Sequence, residues 1–194
     1  MEGGAIYNFT GPQAFGNVDT GDAIYCIKKH VFEDKDLTMQ QIYDAMEHNF
    51  GAELGAGCYD GPFVRLSTDS AEPAAAAMES VSVSSEDSME SIINDIDEVD
   101  MCARKATQVY SHEVEKYKNP RGGQYQAGCY PVSANVLFGK DVQALPDGRY
   151  SNAPLADGVS PRQGHDVKGP TAAGNSVAKL DQLNISNGTL YNQK

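Results

Sequence analysis

Nearly all the net charge of this 194-residue chain sits in one quarter of it. Residues 52–100 carry twelve carboxylates and one basic side chain, Arg65, a balance of −11 against −12 for the whole chain. The same stretch holds Ala74-Ala75-Ala76-Ala77 and the serine-rich run from Ser80 to Ser88. Small side chains and charge of one sign cannot bury enough apolar surface to offset the entropy of ordering. Residues 52–84 therefore read as an acidic insertion or linker, mobile across 55–84. The core must come from the near-neutral flanks, divided into a segment 1–51, a helical segment 85–119 and a third segment 120–194.

The acidic balance argues against nucleic acid as a partner, because neutralising phosphates takes clustered Lys and Arg. No run of about 18 apolar residues exists to span a membrane. Met1-Glu2-Gly3-Gly4 lacks the basic and apolar regions of a secretion signal. Cys26, Cys58, Cys102 and Cys129 form neither a Cys-x-x-Cys pair nor a zinc-spaced cluster with histidine. Together these features point to reduced thiols in a cytoplasmic protein.

Local signals place helices on both sides of the acidic stretch. Thr38-Met39-Gln40-Gln41 is a capping box, with Leu37 and Ile42 set for a hydrophobic staple. Met39, Ile42, Met46 and Phe50 then recur at helical spacing. An earlier helix runs through Ala23, Ile24, Ile27 and Val31, and a later one starts after Ser84 or Ser85. A further helix places Val99, Cys102, Ala106, Val109, Tyr110 and Tyr117 on one face and ends at Asn119-Pro120.

Beyond Arg121 the texture changes. Residues 120–190 hold ten of the nineteen glycines and six of the nine prolines, which predicts turns. Tyr125–Phe138 is the one strand region, with Tyr130, Val132, Ala134 and Val136 in alternation. Pro131 cannot donate to a ladder, so that strand is expected at an edge, bulged or kinked. Pro146 to Gly188 reads as loops laid over a larger body.

Single motifs carry little chemistry. Gly55-Ala56-Gly57-Cys58-Tyr59-Asp60 lacks the last glycine of a dinucleotide fingerprint. Gly174-Asn175-Ser176-Val177-Ala178 lacks the second glycine of a nucleophile elbow. His30, His48, His112 and His165 are too scattered for a metal site and read as surface or capping residues. Asp147-Gly148 and Asp157-Gly158 read as turn formers.

Longer segments are more specific. Gly3-Gly4-Ala5-Ile6-Tyr7-Asn8-Phe9-Thr10-Gly11-Pro12-Gln13 resembles a segment of glycyl radical enzymes. Tyr117-Lys118-Asn119-Pro120-Arg121-Gly122-Gly123 and Gln126-Ala127-Gly128-Cys129-Tyr130-Pro131-Val132-Ser133-Ala134-Asn135-Val136 follow in family order. So do Ala144–Arg149, Pro154–Pro161, Gly169–Ala173, Ser176–Asp181 and Asn187–Lys194. The match covers 1–51 and about 94–194, and the dehydratase and pyruvate formate-lyase-like branches are nearest.

The resemblance implies an α/β fold: a partial segment of the ten-stranded glycyl radical enzyme barrel, contributing helices, a barrel strand and long loops. In that family an activating enzyme, using S-adenosylmethionine and an iron–sulfur cluster, installs a backbone glycyl radical. The radical passes to a cysteine, whose thiyl radical abstracts hydrogen from substrate. The family's Gly-Cys-x-Glu loop would precede residues 3–13, and its radical glycine would follow Asn192-Gln193-Lys194. No catalytic residue, bound cofactor or metal is therefore expected in this chain, and the chain alone is expected to be inactive. The substrate-side candidates are Tyr125, Tyr130, Ser133 and Asn135, on a strand expected to face inward. The reaction expected of the parent is dehydration of glycerol or propane-1,2-diol, with formate C-acetyltransfer from a 2-oxo acid as the alternative. A non-catalytic interaction module derived from such an enzyme is a third reading. Expected partners are the remaining enzyme segments or a homo-oligomer, the activating enzyme and a small polyol or 2-oxo acid.

Overall fold

The structure is a computed structural model that describes residues 5–51 and 94–193. The expected acidic insertion, Cys58 and the glycine run at 55–57 lie outside the described residues. Helix α1, Asn17–Ile27, begins at Gly16, whose φ of 77° suits a residue without Cβ. It runs on through a π-helical turn at Lys28–Glu33. Helix α2, Met39–Glu47, opens with the expected capping box. Gln41 N donates to Thr38 Oγ1 at 3.2 Å, and Thr38 N donates to Gln41 Oε1 at 2.8 Å.

Helix α3, Asp97–Val114, carries Asp97, Glu98 and Asp100 in its first turn, where the helix dipole favours negative charge. Its buried stripe is Val99, Ala103, Thr107 and Ser111, packed on α1. This corrects the expected apolar face, since Val109 and Tyr117 are exposed and Tyr117 lies beyond the helix. Small residues four apart let two helices approach closely, and this outranks the larger apolar side chains.

The sheet is small and parallel. Strand β1, Gly128–Cys129, pairs with β2, Gly188–Thr189. On its other side residues 10–14 run parallel to 124–128. Gln126 N donates to Thr10 O at 2.9 Å, Gly128 N to Pro12 O at 3.0 Å and Ala14 N to Gly128 O at 2.8 Å. The 125–129 strand is thus central, not at an edge. It also stops before Pro131 instead of running to Phe138. Ala134 N donates to Pro131 O at 2.9 Å, and residues Ala134–Gly139 form the short helix α4. Ser133 and Asn135 therefore do not lie on a strand.

The loop region also contains a helix that the turn-rich reading omits. Helix α5, Gly169–Lys179, starts with Pro170 in its first turn and buries Ala173 and Ser176. Val18, Tyr25, Val99, Ala103, Cys129, Ala156, Val159, Ala173, Leu180 and Ile185 form one core beneath the sheet and helices. The described residues thus form an α/β arrangement of helices and a small parallel sheet.

Candidate functional site

Three side chains meet beside the small sheet. Tyr130, just past β1, donates its hydroxyl hydrogen to Asn187 Oδ1. Gln13 Nε2 donates to the same oxygen at 2.9 Å and to Gly11 O at 3.0 Å. Asn187 is held by its own backbone, whose N–H donates to Ala127 O at 2.9 Å.

Two glycines make this junction possible. A Cβ on Gly11 would lie 2.5 Å from the Asn187 amide, and one on Gly128 would lie 2.3 Å from Gln13 Oε1. Gln13 Oε1 is buried and has no hydrogen-bond partner among the described residues. The cluster therefore offers an acceptor at Gln13 and the Tyr130 oxygen, which suits hydroxyl groups of a small ligand.

The four candidates from the sequence are not brought together. Tyr125 sits at the opposite end of the central strand, bridged to Thr10. Ser133 is exposed in front of α4, and its side chain caps nothing. Asn135 is buried, with Nδ2 donating to Leu155 O at 3.2 Å while Leu155 N donates to Asn135 O at 3.1 Å. Only Tyr130 joins a side-chain cluster. Gln13 and Asn187 were missed as partners, although both lie in segments that carry the family resemblance.

A buried charged group ties α1 to two loops. Asp147 is 1% exposed, and Arg162 Nη1 lies 2.9 Å from its Oδ2 and 3.9 Å from Asp19 Oδ1. Asp19 Oδ2 accepts from Ala156 N at 2.7 Å. Burial lifts the Asp19 carboxyl to about 6, against the pull of Arg162. Arg149 donates to the carbonyls of Gly139, Val142, Gln143 and Ala153, closing the 139–153 loop around one guanidinium. Asp147 is thus a turn former whose side chain also anchors a second loop.

Two of the thiols among the described residues, buried Cys129 and half-buried Cys26, are hydrogen-bonded. Cys129 is fully buried, accepts a bond from Asn17 Nδ2 at 3.1 Å and is pushed up to about 11 by burial. Cys26 donates to Pro146 O at 3.0 Å and is pushed up to about 12, again first by burial. Ser176 Oγ accepts from Asp95 N at 2.9 Å and acts as a helix-to-loop tie. Among the described residues no group of His, Cys, Asp and Glu is arranged to hold a metal, and no helix is long and apolar enough to cross a membrane.

The pyruvate formate lyase-like family model matches residues 1–139, and the glycine radical model matches 155–194. The solved structure for 1,2-propanediol dehydration in Roseburia inulinivorans is 48% identical, with a TM-score of 0.83 over 99% of this chain and 22% of that one. The glycerol-bound B12-independent glycerol dehydratase of Clostridium butyricum is 43% identical, with a TM-score of 0.79 over 98% and 21%. The probable dehydratase YbiW of Escherichia coli is 35% identical over 100% of this chain and 22% of its own length. A formate acetyltransferase from Haemophilus influenzae matches only 50% of the chain, at 32% identity. The chain spans about a fifth of the length of the relatives it matches. With both family models matched in order along its length, the chain belongs to the pyruvate formate lyase-like family of glycyl radical enzymes.

Proposed function

We propose that this segment forms the substrate-side wall of a glycyl radical dehydratase acting on a small vicinal polyol. The observation that carries the reading is the likeness at 48% identity, over 99% of the chain, to the protein of 1,2-propanediol dehydration. The contrast with a formate acetyltransferase that matches half the chain favours dehydration over formate transfer.

In this reading the radical site lies outside the described residues, because the thiols at 26, 102 and 129 serve the packing of helices and strand. The glycyl radical, installed by an activating enzyme that uses S-adenosylmethionine, supplies hydrogen abstraction from a substrate carbon. This chain's residues orient the substrate. Gln13 Oε1 accepts from one substrate hydroxyl. The Tyr130 oxygen, whose own hydrogen is directed to Asn187, accepts from another. Ser133, exposed beyond Tyr130, is the second candidate for a polar contact. Tyr125 and Asn135 hold the framework.

The test is anaerobic product analysis of the full-length, radical-loaded enzyme. Propanal from propane-1,2-diol, or 3-hydroxypropanal from glycerol, is the expected product. Formate and acetyl-CoA from pyruvate and CoA, with no aldehyde from either polyol, rejects the reading. Y130F should raise KM for the polyol by about tenfold, the scale of one lost polar contact.

A further inference from the structure

Asn187 is the only asparagine of the chain that is followed by glycine. In an Asn-Gly pair the backbone nitrogen of the glycine can attack the side-chain carbonyl carbon of the asparagine, and glycine puts no Cβ in the way. The Gly188 nitrogen gives up its proton and bonds to Asn187 Cγ, closing a five-membered imide. The Cγ–Nδ2 bond breaks, and ammonia leaves carrying a proton. Water then opens the imide at either carbonyl, giving aspartate or isoaspartate. Water is the co-reactant, and nothing is oxidised or reduced.

The groups that must move for this reaction are held by the fold. Asn187 Oδ1 accepts from the Tyr130 hydroxyl and from Gln13 Nε2, the latter at 2.9 Å, which fixes Cγ. The Gly188 N–H donates to Ile185 O at 3.0 Å, and the Asn187 N–H donates to Ala127 O at 2.9 Å. Gly188, with a φ of 113°, is also the residue of β2 that pairs with Gly128. Ring closure requires the side chain to leave both donors and the Gly188 N–H to leave Ile185. We propose that Asn187 is a modification site of this protein, a deamidation site that the Tyr130–Gln13 clamp keeps closed and that converts only when the junction opens. Isoaspartate carries the main chain through the side-chain carbon and so adds one atom between residue 187 and Gly188. The Asn187–Ala127 bond and the Gly188–Gly128 pairing cannot both survive that extension, so conversion breaks the register of β1 and β2. The chemistry is independent of which substrate the enzyme takes.

The experiment uses the full-length enzyme without the radical, held in mildly alkaline buffer. Peptide mass mapping follows the amide-to-acid mass gain at Asn187, and chromatography resolves aspartate from isoaspartate peptides. Folded wild-type enzyme should convert at least about 100-fold more slowly than the same chain in urea, because the reaction waits on local opening. Y130F and Q13A should each speed conversion of the folded enzyme about tenfold, the population change set by one lost hydrogen bond, and leave the rate in urea unchanged. Y130F removes a single oxygen and carries the test if Q13A does not fold. Asn175, which precedes Ser176 in α5, is the internal reference and should keep its wild-type rate. Enzyme enriched in isoaspartate should melt lower than N187D, whose main chain is unaltered. Conversion of folded wild-type enzyme as fast as in urea overturns the proposal, as does the lack of conversion in urea. Variants no faster than wild type overturn it too. Equal acceleration at Asn175 does the same, because the opening is then global.

Discussion

Lys179 Nζ lies 2.8 Å from Oδ2 of Asp100, a residue with 0% exposure. The same ammonium is 2.6 Å from Asp95 Oδ1 and 2.7 Å from Asp97 Oδ1, so one cation at the end of α5 pins the start of α3. Asn94 adds to the tie, donating to His165 O at 3.0 Å and accepting from Lys168 N at 3.0 Å. Removing one partner of a buried pair leaves a desolvated charge behind. K179M should therefore cost about 1–3 kcal/mol, below the range for a fully buried pair because Lys179 is partly exposed. D97N, at an exposed carboxylate, should cost under about 0.5 kcal/mol. Urea melts of the two variants give the comparison. Equal midpoints would refute the buried-pair account.

Two groups near Arg162, buried Asp19 and half-buried His165, should make stability depend on pH in opposite senses. His165 Nε2 accepts from Arg162 Nε at 3.2 Å, which requires the neutral ring. Burial, then the adjacent guanidinium, holds its pKa down at about 3. The unfolded ring titrates near about 6.5, so this contribution is lost as pH falls from there towards 3. Asp19 is raised to about 6 by burial, whereas an unfolded Asp titrates near about 3.9. Its folded state holds a proton that the unfolded chain has released, so this contribution weakens as pH rises from about 4 to 6. Relative to wild type, H165Q should therefore gain stability as pH falls from 6 to 4, and D19N should gain it as pH rises from 4 to 6, each by about 2–3 kcal/mol. Urea midpoints at pH 4, 5, 6 and 7 measure both slopes, and parallel profiles would contradict the assignment.

What was legible in the sequence is what is decided locally. The Thr38–Gln41 capping box needs only four consecutive residues; the first helix was read near its place, but its buried face is Val18, Gly21, Asp22 and Tyr25 rather than Ala23, Ile24 and Ile27. The alternation Tyr130, Val132, Ala134, Val136 misled because Pro131 ends the strand and α4 then packs through Asn135 against Leu155. Helix α5 was hidden by Gly169, Pro170 and Gly174, whose weak propensity is overridden by Ser176 and Lys179 binding the start of α3. The Asp19–Ala156 bond joins residues 137 apart, a distance at which no spacing rule operates. At the site, Tyr130 was visible from its strand, while Gln13 and Asn187 reach it from opposite ends of the chain.

The thiols should be chemically quiet. Burial lifts Cys129 to about 11 and Cys26 to about 12, and the thiolate is the reactive form. At pH 8, iodoacetamide should alkylate both at least about 100-fold more slowly than an unfolded-chain thiol. Peptide mass mapping over time reads each rate separately. Modification of Cys129 in folded protein as fast as in urea would show that the core opens around β1.

Two glycines give a sharper test of close packing. A Cβ on Gly123 would lie 1.6 Å from the backbone oxygen of Asn8, where Asn119 Nδ2 also donates. Neither atom can retreat, because Gly123 N is itself held by Asn119 Oδ1 at 3.0 Å and Asn119 N donates to Gly123 O at 2.8 Å. The N-terminal segment would have to detach from the 117–124 turn, releasing the Thr10–Tyr125 bridge that starts the parallel pairing. Gly174 is the opposite case: it lies inside α5, and nothing lies within 4 Å of an added Cβ. Alanine there removes unfolded-state freedom and raises helix propensity. G174A should stabilise by about 0.5–1 kcal/mol, whereas G123A should destabilise by about 2–3 kcal/mol. Thermal melts of both variants measure the difference. If G123A melts with wild-type protein, residues 5–10 are not docked where the Asn8–Gly123 contact places them.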